Sequence, residues 1–514
     1  MKKLQIDIPP HKLNDHEFIK KQICRKLHLP FNKPLEFHII RRSIDARKKV
    51  KFILQVAVGK KEVTPTVKSL YSHQSERNVL IVGAGPAGYF AALECLVHGF
   101  KPIILERGKD VQTRRKDLRQ IQQFGVVNPH SNYCFGEGGA GTYSDGKLYT
   151  RSGKRHEIDH ILQILVEHGA NPDILIDSHP HIGSNKLPNV IKNIRETILQ
   201  FGGEIHFNAF VTNFLLHNNR IVGVQINHTT EIMGDDVVLA TGHSARDIFQ
   251  LCNSSGIDIE AKPFAMGVRI EHPQALIDDV QYRQNPRDEN LPASSYGLVC
   301  QSYGRGVFSF CMCPGGIIVP AATAPNETVV NGMSLSRRDS PFANSGIVVA
   351  VELEDLTDYK HFGKFAGLEY QKHIEKQAFK YGGDETQQAP AQRLVDFVEG
   401  KLSSSLPKTS YIPGVHSAPL HEVLPSQMVK RLQDGFLQFG KKMKSYYTND
   451  AQIVGVESRT SSPIRIPRNS KTLMHPNITH LYPCGEGAGY AGGIVSAAMD
   501  GQRVVRAIKA NSKE

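Results

Sequence analysis

A glycine-rich turn set between two short apolar runs constrains this chain more than any other feature. Residues 78–107 read NVLIVGAGPAGYFAALECLVHGFKPIILER. Val79-Leu80-Ile81-Val82 is an unbroken branched apolar run, the pattern of a strand buried on both faces of a parallel sheet. Gly83-Ala84-Gly85-Pro86-Ala87-Gly88 follows, then a helical stretch, then a second apolar strand, Lys101 to Leu105, with Glu106 at its end.

Each glycine of the turn removes a side chain where something needs room. Gly83 permits the tight exit from the strand, Gly85 lets the backbone approach a pyrophosphate, and Gly88 lets the helix pack close to the strand. The helix then aims unpaired N–H groups and the positive end of its dipole at phosphates. Glu106 follows Gly83 by 23 positions, close to the roughly 20 expected for an acid that accepts hydrogen bonds from a ribose. A glycine-rich turn alone is weak evidence. Strand, loop, helix, strand and terminal acid in one compact unit predict a dinucleotide site.

At 514 residues the chain exceeds one ordinary core, so two or three domains are expected. A hydrophobic fraction of 40% with 22% charged residues belongs to a folded globular protein. No run approaches a membrane span, and the start MKKLQIDIPP has no apolar h-region, so the expectation is a cytoplasmic protein with no membrane partner. The eight cysteines are scattered and predict no disulfide framework. Cys311-Met312-Cys313 lacks the two-residue spacer usual for zinc ligands, so core packing is expected there and no metal site. Residues 1–68 hold 17 Lys and Arg against 6 Asp and Glu, so nearly all of the net +12 lies at one end.

Residues 1–68 read as a small basic α/β unit. Leu4 to Ile8 alternates as a strand, Asn14 or Asp15 caps a helix to about Leu27, and Leu35–Ile40 and Val50–Val58 are two further strands. Its cluster Arg41-Arg42-Ser43-Ile44-Asp45-Ala46-Arg47-Lys48-Lys49 falls between the last two, as a solvated loop or as a surface for phosphate or RNA. Thr64 to Gln74 reads as a linker. Beyond the dinucleotide unit, residues 134–148 carry Gly136, Gly138, Gly139, Gly141 and Gly146, too many for stable secondary structure. Such a loop suits a backbone lying against a flat ring or a phosphate, and it equally suits a mobile surface. A helix from Leu187 to Phe201, a strand from Glu204, a meander over residues 211–233 and a strand from Asp236 into Thr241-Gly242 continue the pattern. Regularity fails from Ile259 to Ala451. It returns at Leu481-Tyr482-Pro483-Cys484-Gly485-Glu486, followed by a second glycine-rich turn and a helix.

Together these stretches resemble the FAD-dependent oxidoreductases of the glutathione-reductase-like superfamily, on the branch with a single dinucleotide fold. GGAGTYSDGKL, FAMGVRIEHPQ, GVESRTSSPIRIPR and RRSIDARKK are similar to a bacterial family of FAD-dependent dehydrogenases. The resemblance implies an α/β chain: a Rossmann-type FAD-binding domain over 77–258, an inserted α+β substrate domain over 259–451, a return to the FAD-binding domain over 452–514, and the small α/β domain at 1–68. It implies non-covalent FAD, with the ribityl chain on Gly485 and Glu486 and the flavin and pyrophosphate against Gly138, Gly139, Gly141 and Thr142. Pro86, Ala87, Arg107, Val211, Thr241, Gly242, Gly493 and Ile494 complete the expected cofactor contacts. No CxxxxC pair stands near the first helix, which argues against a disulfide-reductase mechanism. No second GxGxxG dedicated to NAD(P)H is evident, so NAD(P)H, if it is the electron donor, binds transiently at the flavin face.

A flavin performs hydride transfer itself, so the catalytic side chains need not stand out. Arg459, Arg465 and Arg468 precede the returning motif, where a cation can hold a substrate carboxylate; surface ion pairing is the alternative. His181 is a candidate proton donor or a structural histidine, and Arg269 and His272 raise the same choice. The expected function is oxidoreduction of a small molecule. An RNA-modifying or RNA-binding flavoprotein, with nucleic acid on the basic unit, is the less favoured reading, and a redox-inactive FAD scaffold is a third. The oligomeric state stays open.

Overall fold

The computed structural model describes residues 2–32, 34–60, 66–72, 77–150, 153–383 and 386–512. The expected linker falls partly outside them, at Thr64, Pro65, His73 and Gln74. A five-stranded parallel sheet forms the centre, in the order Leu481–Pro483, Asp236–Leu239, Asn78–Val82, Lys101–Leu105, Glu204–His206. Val79, Leu80, Ile81 and Val82 are all buried, because helices cover both faces of such a sheet. The helix Pro86–Val97 crosses the sheet with ten consecutive buried residues, Ala87 to Leu96.

Two glycines set how closely this helix lies to its neighbours. A Cβ on Gly88 would stand 1.9 Å from the Gly83 carbonyl oxygen, and one on Gly501 would stand 2.1 Å from the carbonyl oxygen of Ala87. Gly501 belongs to the helix Ile494–Asn511, so the first and last helices of the parallel domain touch backbone to backbone. A separate antiparallel meander, Val211–His217, Arg220–Ile226 and Thr230–Met233, turns at Asn218 and Asn219, both with positive φ as a tight hairpin requires.

The region 259–451 is more regular than its sequence suggests. Seven strands form one sheet in the order Val299–Ser302, Arg305–Cys313, Phe342–Val351, Phe264–Pro273, Gln452–Glu457, Ala389–Arg393, Val415–Ser417. Gln452–Glu457 thus belongs to this sheet, between Phe264–Pro273 and Ala389–Arg393, and not to the returning segment expected from 452. The chain re-enters the parallel sheet at Leu481.

The basic N-terminal unit is a three-stranded antiparallel sheet, Lys2–Ile8, Lys51–Val58 and Phe37–Asp45, with the helix His16–Leu27 capped by Asp15 on the Phe18 amide. The expected basic loop is not a loop at its start: Arg41 to Asp45 are the end of a strand. Arg42 donates to Asp177 at 2.6 Å and to Asp173 at 3.0 Å, and its backbone pairs with Ile176 and Ser178. Arg47 pairs with Asp45. These pairings neutralise part of the basic cluster and leave Lys48 and Lys49 exposed. No helix among the described residues is long and apolar enough to cross a membrane.

Because Gly88 has no space for a methyl group, Gly88→Ala should lower stability by about 1–3 kcal/mol, the usual cost of overpacking. Thermal or denaturant unfolding checks it, and an unchanged midpoint would mean that helix and turn are not held this close.

Candidate functional site

The loops at the carboxyl ends of the parallel strands enclose a cavity of about 410 Å³. Ligands in open α/β sheets sit at such ends. The glycine turns supply part of the wall: Gly83, Gly85, Pro86 and Ala87 from the first, Gly139 and Gly141 from the second, Thr241 and Gly242 after the strand Asp236–Leu239, and Gly493 and Ile494 at the start of the last helix. A Cβ added at Gly85, Gly242 or Gly493 would meet nothing within 4 Å. Those positions leave open space, a cradle that suits an extended dinucleotide.

Glu106 and Arg107 line the cavity with Val211. The Glu106 carboxylate, 5% exposed, accepts backbone N–H groups of Ala84, Gly108 and Gly136, each at 2.9 Å. A carboxylate has about four lone-pair sites, so one acceptor position is left for a ribose hydroxyl. The acid therefore ties the first turn to the glycine-rich loop as well as facing the cavity. Arg107 lies over the rings of Phe135 at 4.2 Å and Phe210 at 4.7 Å, and its guanidinium donates to Asp247. Phe135 and Phe210 also line the wall, and no local motif marked them.

The glycine-rich loop is held by a residue the sequence did not single out. Arg114 is fully buried, and its guanidinium donates to the carbonyl oxygens of Asn132, Glu137 and Gly139 at 2.8, 2.9 and 3.0 Å. Burial without a carboxylate partner pulls its pKa down. Gly138 donates to the Ala84 carbonyl, and Thr142 Oγ1 to that of Glu137. Gly138 and Thr142 thus stand behind the wall, as do Gly88 and Gly485, none of which lines the cavity. Gly485 donates to Asp500, which also binds Arg468 at 2.7 Å. Arg468 is therefore a structural cation.

Of the expected catalytic residues, Arg459 lines the cavity and His181 does not. His181 hydrogen-bonds the Ser336 carbonyl and bridges to Lys147 through backbone. Arg459 is no free cation for a substrate: it donates to Glu375 at 3.1 and 3.0 Å, Glu327 at 3.0 Å and Thr323 at 2.6 Å, and Arg246 shares both acids. Nor are Arg269 and His272 available. Arg269 is spent on Glu457 and Asn344, and His272 on the Tyr446 carbonyl.

The cavity wall holds a different titratable pair. Glu486 Oε1 lies 3.7 Å from Nδ1 of His243, and both residues line the cavity. Burial pushes the Glu486 carboxyl up to about 7, against the opposing pull of Lys262. Burial first, then the charge of Arg459, pulls His243 down to about 4, and its Nδ1 has no hydrogen-bond partner among the described residues. His243 follows Thr241-Gly242 directly, so the strand ending in A-T-G was the available signal. Cys311, Cys313, Lys147, Tyr149, Asn331 and Glu457 also line the wall; Cys313 is buried, as the expected core packing requires, while Cys311 is exposed.

Two outcomes follow from these charges. Arg459→Ala should cost about 3–5 kcal/mol in unfolding experiments, because it strips a partner from buried Glu375; a loss under 1 kcal/mol would show the acids to be solvated. In the cofactor-free protein, folded Glu486 keeps its proton up to about 7 while the unfolded chain releases it near 4.5. Its stabilising contribution is thus complete below 4.5 and falls as pH rises to about 7. Relative to Glu486→Gln, the wild type should lose stability across that window, and parallel pH curves for the two proteins would refute the assignment.

Comparison with known proteins gives this site a setting. Residues 263–460 match the family "FAD-dependent protein, C-terminal domain-like", and residues 1–59 match a domain of unknown function, DUF8436. An uncharacterized protein of Clostridium beijerinckii is 41% identical over 519 residues, covering 96% of each chain. Among solved structures, CtdE in complex with FAD is 12% identical, covers 85% of this chain and 89% of its own, and has a TM-score of 0.34. Glycine oxidase from Bacillus cereus is 12% identical, covers 85% of this chain and 96% of its own, and has a TM-score of 0.32. Similarity at that level decides nothing about mechanism. The chain belongs to the family of the Clostridium beijerinckii protein, and its residues 263–460 are similar to the C-terminal domain of FAD-dependent proteins.

Proposed function

We propose that this protein is a FAD-dependent oxidoreductase that transfers a hydride between non-covalent FAD and a small molecule. The observation that carries the reading is the cradle itself: a cavity walled by Gly85, Gly139, Gly141, Gly242 and Gly493, with a buried acid, Glu106, and a helix N-terminus at Pro86 on the same wall. The helix N-terminus and the loop amides would hold the pyrophosphate. Glu106 would accept a ribose hydroxyl, and Arg107 with Phe135 and Phe210 would flank the adenosine. When bound, FAD supplies the hydride-transfer chemistry, and the protein supplies position, electrostatics and exclusion of water.

Around that group the side chains divide the remaining work. Glu486 and His243, 3.7 Å apart, are placed to hold and pass a proton near neutral pH, one carboxyl titrating at about 7 beside an imidazole that stays neutral. Arg459, saturated by Glu375 and Glu327, fixes the wall rather than binding substrate. A reduced nicotinamide, if it is the electron donor, would reach the flavin through the same cavity.

Purified protein should carry FAD or take it up at one per chain, seen as a flavin spectrum that co-elutes with the polypeptide. Glu106→Gln should weaken FAD binding about tenfold, the equivalent of one hydrogen bond to a charged group. Protein that stays colourless after incubation with FAD would overturn the reading.

A further inference from the structure

We propose that Cys311 and Cys313 form a reversible disulfide, a second two-electron centre on the wall of the same cavity, open to exchange with small thiols and disulfides. Coupling of this centre to a flavin rests on the reading above; the disulfide itself does not.

The strand Arg305–Cys313 delivers the two thiols by an irregularity at its end. Its register on Phe342–Val351 runs from Phe310 opposite Gly346 to Cys313 opposite Asn344, one residue more on the cysteine strand than on its partner. That is a β-bulge, a device that re-aims side chains beside functional sites. Cys311 has φ +44, a left-handed conformation that a non-glycine residue holds only when its surroundings impose it. Alternation along the strand sends Met312 into the core of the seven-stranded domain, 6% exposed, and turns both Cys311 and Cys313 to the cavity. Cα atoms two residues apart in a strand are about 6.6 Å apart, inside the usual disulfide range of about 4.4–6.8 Å. The Cys313 sulfur already folds back to 3.2 Å from the Cys311 carbonyl oxygen.

The two sulfurs have different surroundings. Cys313 Sγ lies 3.7 Å from Lys147 Nζ and 3.6 Å from Arg269 Nη2, two cations that offer N–H groups to it. Gly332 makes room for the second: a Cβ there would stand 2.1 Å from Arg269 Nη2. Cys311 is exposed and opens onto the cavity, whereas Cys313 is 1% exposed. An external disulfide therefore meets Cys311 first, and Cys313, beside its two cations, resolves the mixed disulfide. In the oxidation both S–H bonds break, the S–S bond forms, and two protons leave to solvent. The electron pair goes to oxidised FAD seated in the cavity or, without it, to an external disulfide such as oxidised dithiothreitol. The reverse step returns the pair and both protons.

Two measurements test it. FAD-free protein is equilibrated in mixtures of reduced and oxidised dithiothreitol, quenched with iodoacetamide, and the peptide carrying both cysteines is weighed. Cys311 and Cys313 should lose their alkyl groups together at the oxidising end, with a mass two hydrogens lower. Two thiols that stay alkylated throughout, or that react singly, overturn the disulfide. In the second, oxidised FAD-loaded protein is titrated with dithionite. The wild type should take up four electrons per flavin before it bleaches, and Cys311→Ser and Cys313→Ser two each. Two electrons in the wild type overturn the coupling even if the disulfide forms. Protein that binds no FAD fails the earlier reading and leaves the first measurement to decide the disulfide.

Discussion

One buried carboxylate holds the architecture of the cavity together. Glu106 gathers the amides of Ala84, Gly108 and Gly136, which belong to the first glycine turn, the exit of the second strand and the glycine-rich loop. A charge with 5% exposure is tolerable only when its oxygens are occupied, and three fixed N–H donors meet that demand. The same three bonds hold otherwise unpaired loop backbone around one point. The loops are shaped by the charge they satisfy.

Arginines repeat this solution with the sign reversed. Arg114 binds three carbonyl oxygens of the glycine-rich segment. Arg459 and Arg246 share Glu327 and Glu375, joining the helix Arg246–Ser254 to the helix Ala366–Gly382 and to the segment before Leu481. Planar guanidinium groups suit such multidentate positions. Burying these ions is costly, and what it secures is geometry: a cavity wall drawn from distant parts of the chain keeps one arrangement.

The parts visible in the sequence were those whose cause is local. Gly83, Gly85 and Gly88 lie within one turn, and the buried run Val79–Val82 needs only its own composition to read as a strand. The seven-stranded sheet was hidden because its strands carry polar residues inward. In Phe264–Pro273, Arg269, Glu271 and His272 are buried; Arg269 pairs with Glu457, Glu271 with Ser410 and Gln452, and one ring nitrogen of His272 with the Tyr446 carbonyl. A core strand with internal ion pairs shows neither alternation nor an apolar run. Likewise Arg459 looks like a substrate cation until its partners, 84 and 132 residues away, are known. His243, Cys311 and Lys147 meet on one wall only because three separate segments converge there.

The N-terminal unit has a core that the first 60 residues do not finish. Its apolar cluster of Ile6, Ile8, Ile19, Ile23, Phe52 and Leu54 includes Tyr282 and Leu291, and its edge strand pairs through Arg42 with residues 176–178. During synthesis, where domains generally fold in the order they emerge, this segment is made well before Tyr282 and Leu291, the last packing partners of its core. Until then it is an incompletely packed basic sheet, and its core closes when residues 282–291 fold back onto it.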